Sequence, residues 1–196
     1  MVNQAIERAK AISDELREQI RHDLTKAMTG DVRFDRYSRA VYATDASIYE
    51  MEPVGLVLPR NAEDVAKAIE IARGHEIPVL PRGGGTSLSG QGCNHAIVLD
   101  FSKYMSSISE INQEEQWAIT QPGITVEELN HHVKKHGLQY APDPSTANRA
   151  TIGGGIGNNS CGAHSVIYGK TSDQVIELEV ITAQSEMLNL GAFIGD

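Results

Sequence analysis

Two stretches of this sequence carry residue types and spacings that could do chemistry. The first, PRGGGTSLSGQG at residues 81–92, places five glycines in twelve positions between two apolar runs. The second, APDPSTANRATIGGGIGNNSCG at 141–162, joins a proline pair to another glycine cluster. Glycine admits positive φ and lacks the Cβ that keeps a ligand away from main-chain N–H groups, so such loops suit a pyrophosphate held by backbone donors. Either loop alone is more often a tight turn; two of them, each beside a predicted strand, point to a phosphate-containing cofactor. Two common patterns do not fit. Gly155 and Gly157 supply the first two glycines of a dinucleotide fingerprint, but Ser160 stands in place of the third and no helical period follows. Gly169-Lys170-Thr171 looks like the end of a Walker A loop, yet His164 occupies the position of its first glycine.

The remaining reactive side chains read more plainly. His131, His132 and His136 lie on a predicted helix with no acidic third ligand beside them, so they form a solvated face and no metal site is expected. Cys93 and Cys161 make neither a metal spacing nor a disulfide framework, which suits free thiols in a reducing compartment. Arg82 can contact a phosphate or pair with a surface carboxylate. His164 and Tyr168 can line a site or pack.

Composition bounds what these loops can serve. The chain has 196 residues, 40% apolar and 22% charged, enough to bury a core in one or two domains. Seventeen Lys and Arg against 26 Asp and Glu give a net charge of −9, which argues against a nucleic-acid surface and requires that a bound dianion be held locally. The amino terminus is charged with no apolar leader core, and no run approaches the roughly eighteen apolar residues of a membrane span. A soluble cytoplasmic protein is expected.

The elements that must position the loops follow from periodicity and capping. Ile12, Leu16, Ile20, Leu24 and Met28 recur at four-residue intervals, predicting one amphipathic helix over 4–28 that stops at Thr29-Gly30. Residues 30–52 read as a polar linker. VGLVLP predicts a buried strand, and NAEDVAKAIEIARG a helix with Asn61 as N-cap, Val65, Ala68, Ile69 and Ala72 facing inward, and Gly74 as the left-handed terminus. The following PVLP and AIVLDF are further strands. A helix joining two strands implies a right-handed crossover and parallel pairing. SSISEIN and EQWAITQPG form a predicted hairpin. TVEELNHHVKKHG is a second helix, with a capping box from Thr125 and Glu128 and a stop at Gly137. Pro142 and Pro144 make 138–150 irregular, and DQVIELEVITA predicts a long alternating strand.

PRGGGTSLSGQG, APDPSTANRATIGGGIGNNSCG and ELEVITA together resemble the FAD-binding domain of the vanillyl-alcohol oxidase (PCMH) type. The likeness is greatest to FAD-linked D-2-hydroxyacid dehydrogenases, including glycolate oxidase FAD subunits and D-lactate dehydrogenases, and runs from about Ala43 to about Thr182. NNSCGAHSVIYGKTSD further resembles large members that carry an iron–sulfur domain in the same polypeptide. The resemblance implies an α+β fold of two subdomains, a small parallel βαβ unit followed by a mixed or antiparallel sheet, with FAD between them. Residues 1–42 are then a helical lead-in and 43–196 the FAD-binding domain, divided at about 105/106 and incomplete at its carboxyl end. The implied cofactor residues are Arg82, Gly83, Gly84, Gly85, Thr86, Ser87, Gly90 and Gln91 around the pyrophosphate and Pro142, Asp143 and Ser145 as a second wall. Thr151, Ile152, Gly153, Gly154, Gly157, Asn158, Asn159, Gly162 and Ala163 would pass beneath phosphates and isoalloxazine, and Val180 would meet the adenine. Family members with covalent flavin often carry His after the paired glycines; Gly85 stands there, so dissociable FAD is expected. The implied reaction oxidises a small D-2-hydroxy acid to the 2-oxo acid by hydride transfer to FAD. The family's substrate-binding and catalytic residues lie in a later cap domain, so no catalytic residue is expected here. A non-catalytic FAD-binding or interaction module is the alternative, and an open sheet edge predicts self-association or a partner subunit.

Overall fold

The computed structural model describes residues 2–191. Its first region is a four-stranded sheet of β1 (Asp31–Arg33), β2 (Gly55–Leu58), β3 (Val79–Arg82) and β4 (Ile97–Asp100), ordered β1-β2-β4-β3. β2, β4 and β3 run parallel, with Leu56 beside Val98 and Leu80 beside Val98 on the other flank, while β1 is antiparallel to β2. The parallel direction expected for the strands joined by the Asn61-capped helix holds; direct pairing does not, because β4 inserts between them. β1 lies within the stretch read as a linker.

β2 and β4 are buried at every position, as expected of parallel strands covered on both faces. On one face Val57, Ile97 and Leu99 meet Ile20 and Leu24 of α2 (Asp14–Ala27) and Val65, Ala68 and Ala72 of α4 (Ala62–Gly74). On the other, Leu56, Leu58 and Val98 pack with Tyr42, Leu80 and Tyr104. The helix expected over 4–28 is two helices, α1 (Val2–Lys10) and α2, because Ser13 accepts from the Leu16 N–H and restarts the helix with Asp14 and Glu15 in its first turn. The short α3 (Arg36–Val41) leads toward β2. Asn61 caps α4 as expected, but the left-handed residue after it is Glu76 at φ 57°, not Gly74. Asp64, 2% exposed, ties the corner between α2 and α4 by accepting from the Thr29 N–H and Oγ1 and from the Arg60 N–H.

The second region has its own core of Ile124, Val126, Leu129, Val133 and Ile152. It is built from the hairpin β5 (Ile108–Asn112)–β6 (Trp117–Thr120), from α5 (Val126–Val133) with the expected Thr125–Glu128 capping box, and from α6 (Ile152–Asn158). α7 (Ser165–Tyr168) follows. The long strand expected at the end is a shorter pair, β7 (Glu177–Ile181) and β8 (Met187–Gly191). Ile181 reaches the first core, and the Arg73 guanidinium donates to the Ala183 carbonyl at 3.3 Å.

Candidate functional site

The first glycine loop leaves the carboxyl end of β3, the edge of a parallel sheet where ligands commonly bind. None of the main-chain N–H groups from Gly83 to Gln91 donates to a protein acceptor among the described residues. Unpaired backbone donors are costly unless water or a ligand satisfies them, so a run of them forms a cradle that favours an anion. Gly85 and Gly90 hold the turn at φ 63° and 78°.

The cradle is rigid because its base is tied to the segment before β2. Arg82 Nη1 donates to the Tyr42 and Gly92 carbonyls and Nη2 to the Thr44 carbonyl. The Ala46 N–H donates to Gly85 O at 3.0 Å, and the Asp45 carboxylate accepts from the Gly92 N–H at 2.9 Å. Burial pushes the Asp45 pKa up, but hydrogen bonds from Ser47 and Gly92 and the Arg82 charge hold it below the ordinary carboxylate value. Beside it, burial and the Asp45 charge raise the Cys93 thiol pKa, so the sulfur stays protonated. Arg82, open in sequence between phosphate and carboxylate partners, takes carbonyls. Nothing in the glycine pattern pointed to Tyr42, Thr44 or Asp45; the turn-forming Asp-x-Ser of TDAS was the available signal.

The two glycine-rich segments meet through their backbones. A Cβ on Gly83 would strike Thr151 Oγ1, and one on Gly84 the Arg149 carbonyl, so only glycine lets the loop lie against 149–151. Thr151, 2% exposed, caps α6 by accepting from the Gly154 N–H. The next donors are also spoken for: the Ile152 N–H bonds Ile124 O and the Gly153 N–H bonds Pro122 O. The Ile152 and Gly153 N–H groups are therefore occupied within the protein, and the backbone at 149–151 forms a wall against the loop. Along α6, a Cβ at Gly157 would meet nothing within 4 Å and one at Gly154 only Thr151 Oγ1. Gly154, Gly157 and Asn158 share a bare, exposed face.

At the far end of α6, Gly162 presses against the Pro142 and Asp143 carbonyls, and the Ala163 N–H donates to Asp143 O at 3.2 Å. Asp143 is held at φ 51° with its carboxylate 3.5 Å from His164 Nδ1, whose ring meets Tyr168 edge-on. Ser145 is exposed nearby in sequence. Asn159 is the left-handed cap of α6 and its Oδ1 accepts from the Ser172 N–H, so its side chain serves the turn. Thr86 and Ser87 are within the cradle, where Ser87 bonds Gln91. Val180 sits opposite Leu188 in the β7–β8 hairpin, which packs on α4. The structure thus joins Gly83 and Gly84 with 149–151 and, beyond the far end of α6, 142–143 with 162–164.

Bare amides, backbone-close walls and an open glycine face fit a dinucleotide with a planar ring system, and comparisons agree. The chain is 42% identical over 163 residues to a D-2-hydroxyglutarate dehydrogenase of Pseudomonas putida, covering 82% of this chain and 16% of that protein. It is 38% identical over 169 residues to the glycolate oxidase subunit GlcD of Bacillus subtilis, covering 84% and 36%. The chain thus spans well under half the length of these relatives. Among solved structures, alkyldihydroxyacetonephosphate synthase superposes with a TM-score of 0.79 at 22% identity, over 91% of this chain and 36% of that one. p-Cresol methylhydroxylase superposes with 0.78 at 19% identity, over 92% and 36%. The architecture is the vanillyl-alcohol oxidase type of FAD-binding fold. Residues 53–191 match the family model described as FAD binding domain, and the chain belongs to that family.

Proposed function

We propose that this chain is the FAD-holding part of a flavin-dependent oxidoreductase that oxidises a D-2-hydroxy acid to the 2-oxo acid. The observation that carries the cofactor half of the reading is the unpaired N–H run from Gly83 to Gln91, walled by Arg149–Thr151. The substrate half is supported by relatives named as D-2-hydroxyglutarate dehydrogenase, glycolate oxidase subunit and cytochrome D-lactate dehydrogenase.

When bound, FAD supplies a two-electron acceptor for hydride removal from the α-carbon. The chain's own work is to bind and orient. Main-chain N–H groups of Gly83–Ser87 would neutralise the diphosphate, and the Gly154–Gly157 face would let a flat ring or ribityl chain lie against α6. The Pro142–Asp143 wall with Gly162 and Ala163 would close the ring end. Gly85 offers no side chain for a covalent link, so the cofactor would be dissociable. The substrate carboxylate and hydroxyl need a cationic anchor and a base, which this reading assigns to a remaining part of a longer enzyme. The subdomain boundary would lie near 105/106, between the two cores.

Titrating the purified chain with FAD while recording the visible spectrum tests the reading. Saturable binding with a shifted flavin band is expected, and acid precipitation should release the flavin to the supernatant. No binding at high FAD would overturn it. Anaerobic D-2-hydroxyglutarate or D-lactate should leave the flavin oxidised on the chain alone; bleaching would place catalytic groups within these residues.

A further inference from the structure

We infer that Asp45, which precedes the family-matched region, is a positioning residue that pre-organises the cofactor loop; this rests on the FAD reading above. From Gly83 to Gln91 the loop makes no hydrogen bonds through its own N–H groups among the described residues, so its shape must be imposed from outside. The segment Tyr42–Ser47 imposes it. One Asp45 oxygen accepts from the Ser47 N–H at 2.8 Å, folding the segment into a turn, and the other accepts from the Gly92 N–H at 2.9 Å, pinning the loop's end. That turn aims the Ala46 N–H at Gly85 O, the contact that holds the loop's midpoint. Arg82 grips the same segment from the loop's start through the Tyr42 and Thr44 carbonyls. Start, middle and end are therefore fastened to six consecutive residues.

The arrangement resolves an electrostatic conflict. An ionised carboxylate beside an anion cradle repels the ligand, yet Asp45 is kept charged by two N–H donors and the neighbouring guanidinium. Arg82 compensates that charge and is already occupied by carbonyls, so neither side chain needs to touch the cofactor. The free energy of shaping the loop is spent in folding, before binding, which is the general route to tighter affinity at fixed contacts.

The test uses the full chain and its Asp45→Ala, Asp45→Asn and Asp64→Asn variants. FAD Kd is measured where each is fully folded, and hydrogen exchange at 83–92 is followed without FAD. Asp45→Ala should raise Kd about tenfold, as expected when loop order worth one to two hydrogen bonds is lost. It should also speed exchange at Gly92. Asp45→Asn keeps one acceptor oxygen and should fall between wild type and Ala. Asp64→Asn, which loosens the α2–α4 corner, should lower the melting temperature with Kd unchanged. Wild-type Kd in Asp45→Ala, or unchanged exchange at Gly92, overturns the inference. If the wild-type chain binds no FAD, the cofactor reading fails, and Gly92 exchange still decides whether Asp45 orders the loop.

Discussion

Gly84 and Asp64 show how single positions divide between binding and stability. Gly84 meets the Arg149 carbonyl with no room for a Cβ, so Gly84→Val must separate the loop from 149–151. FAD Kd should rise more than about tenfold, a loss of at least about 1.4 kcal/mol, with titration of the flavin band as the check; unchanged affinity would mean the two segments need not touch. Asp64 is different, since its partners are Thr29 and Arg60 rather than the cradle. Burial pushes its pKa up, but the main-chain N–H groups of Thr29 and Arg60 and the Thr29 hydroxyl hold it below the ordinary value. A depressed carboxyl adds stability that is complete above the unfolded pKa of about 3.9 and lost as pH falls through the folded value. Asp64→Ala should cost about 1–3 kcal/mol at neutral pH, and the difference from wild type should shrink on acidification, as read by denaturant melts at several pH values. Residue identity made both loops legible, yet not Arg82. Its sequence context offered phosphate or carboxylate, and two of the carbonyls it holds, those of Tyr42 and Thr44, come from 40 and 38 residues earlier in the chain, a distance that no local pattern reports.

At the scale of elements, caps were legible and glycine helices were not. Asn61 and the Thr125–Glu128 pair announced α4 and α5 because their side chains bond their own first turns. α6 is IGGGIGN, whose glycines each disfavour a helix by up to about 1 kcal/mol relative to alanine. It forms because Thr151 caps it, Pro122 and Ile124 carbonyls take its leading donors, and Asn159 closes it, contacts that exist only after the chain folds. Gly157→Ala separates the two demands on this helix. With nothing within 4 Å of the new Cβ, stability should rise by about 0.5–1 kcal/mol. FAD affinity should fall if the bare face receives the cofactor, so a melt and a titration of one variant should move in opposite directions. The break between α1 and α2 was readable in hindsight from Ser13-Asp14-Glu15, where the four-residue apolar rhythm across 12–28 masked a helix start.

For the whole molecule, topology was the least legible level, since strand insertion depends on contacts between elements far apart in sequence. β4 comes third in the order of the sheet although it is the last strand made. The β7–β8 hairpin shows the same dependence. Leu178 pairs with Leu190 and Val180 with Leu188 on one face, and Leu188 and Leu190 remain 41% and 51% exposed. An apolar strand face with open edges favours association. Sedimentation over a concentration series should therefore show self-association, and Leu188→Lys should suppress it; a strictly monomeric chain at high concentration would show that the face needs no cover.

The placement of β3 against β4 has one more implication. These neighbours run in the same direction, so the chain between Arg82 and Ile97 must travel back along the full height of the sheet, and no helix makes that return. Connections of this kind need a dozen or more residues, which leaves almost no slack. Deletions should therefore cost the fold itself, whereas insertions should leave the sheet intact and lower only FAD affinity, giving a one-sided length profile for stability in a library scan of this stretch.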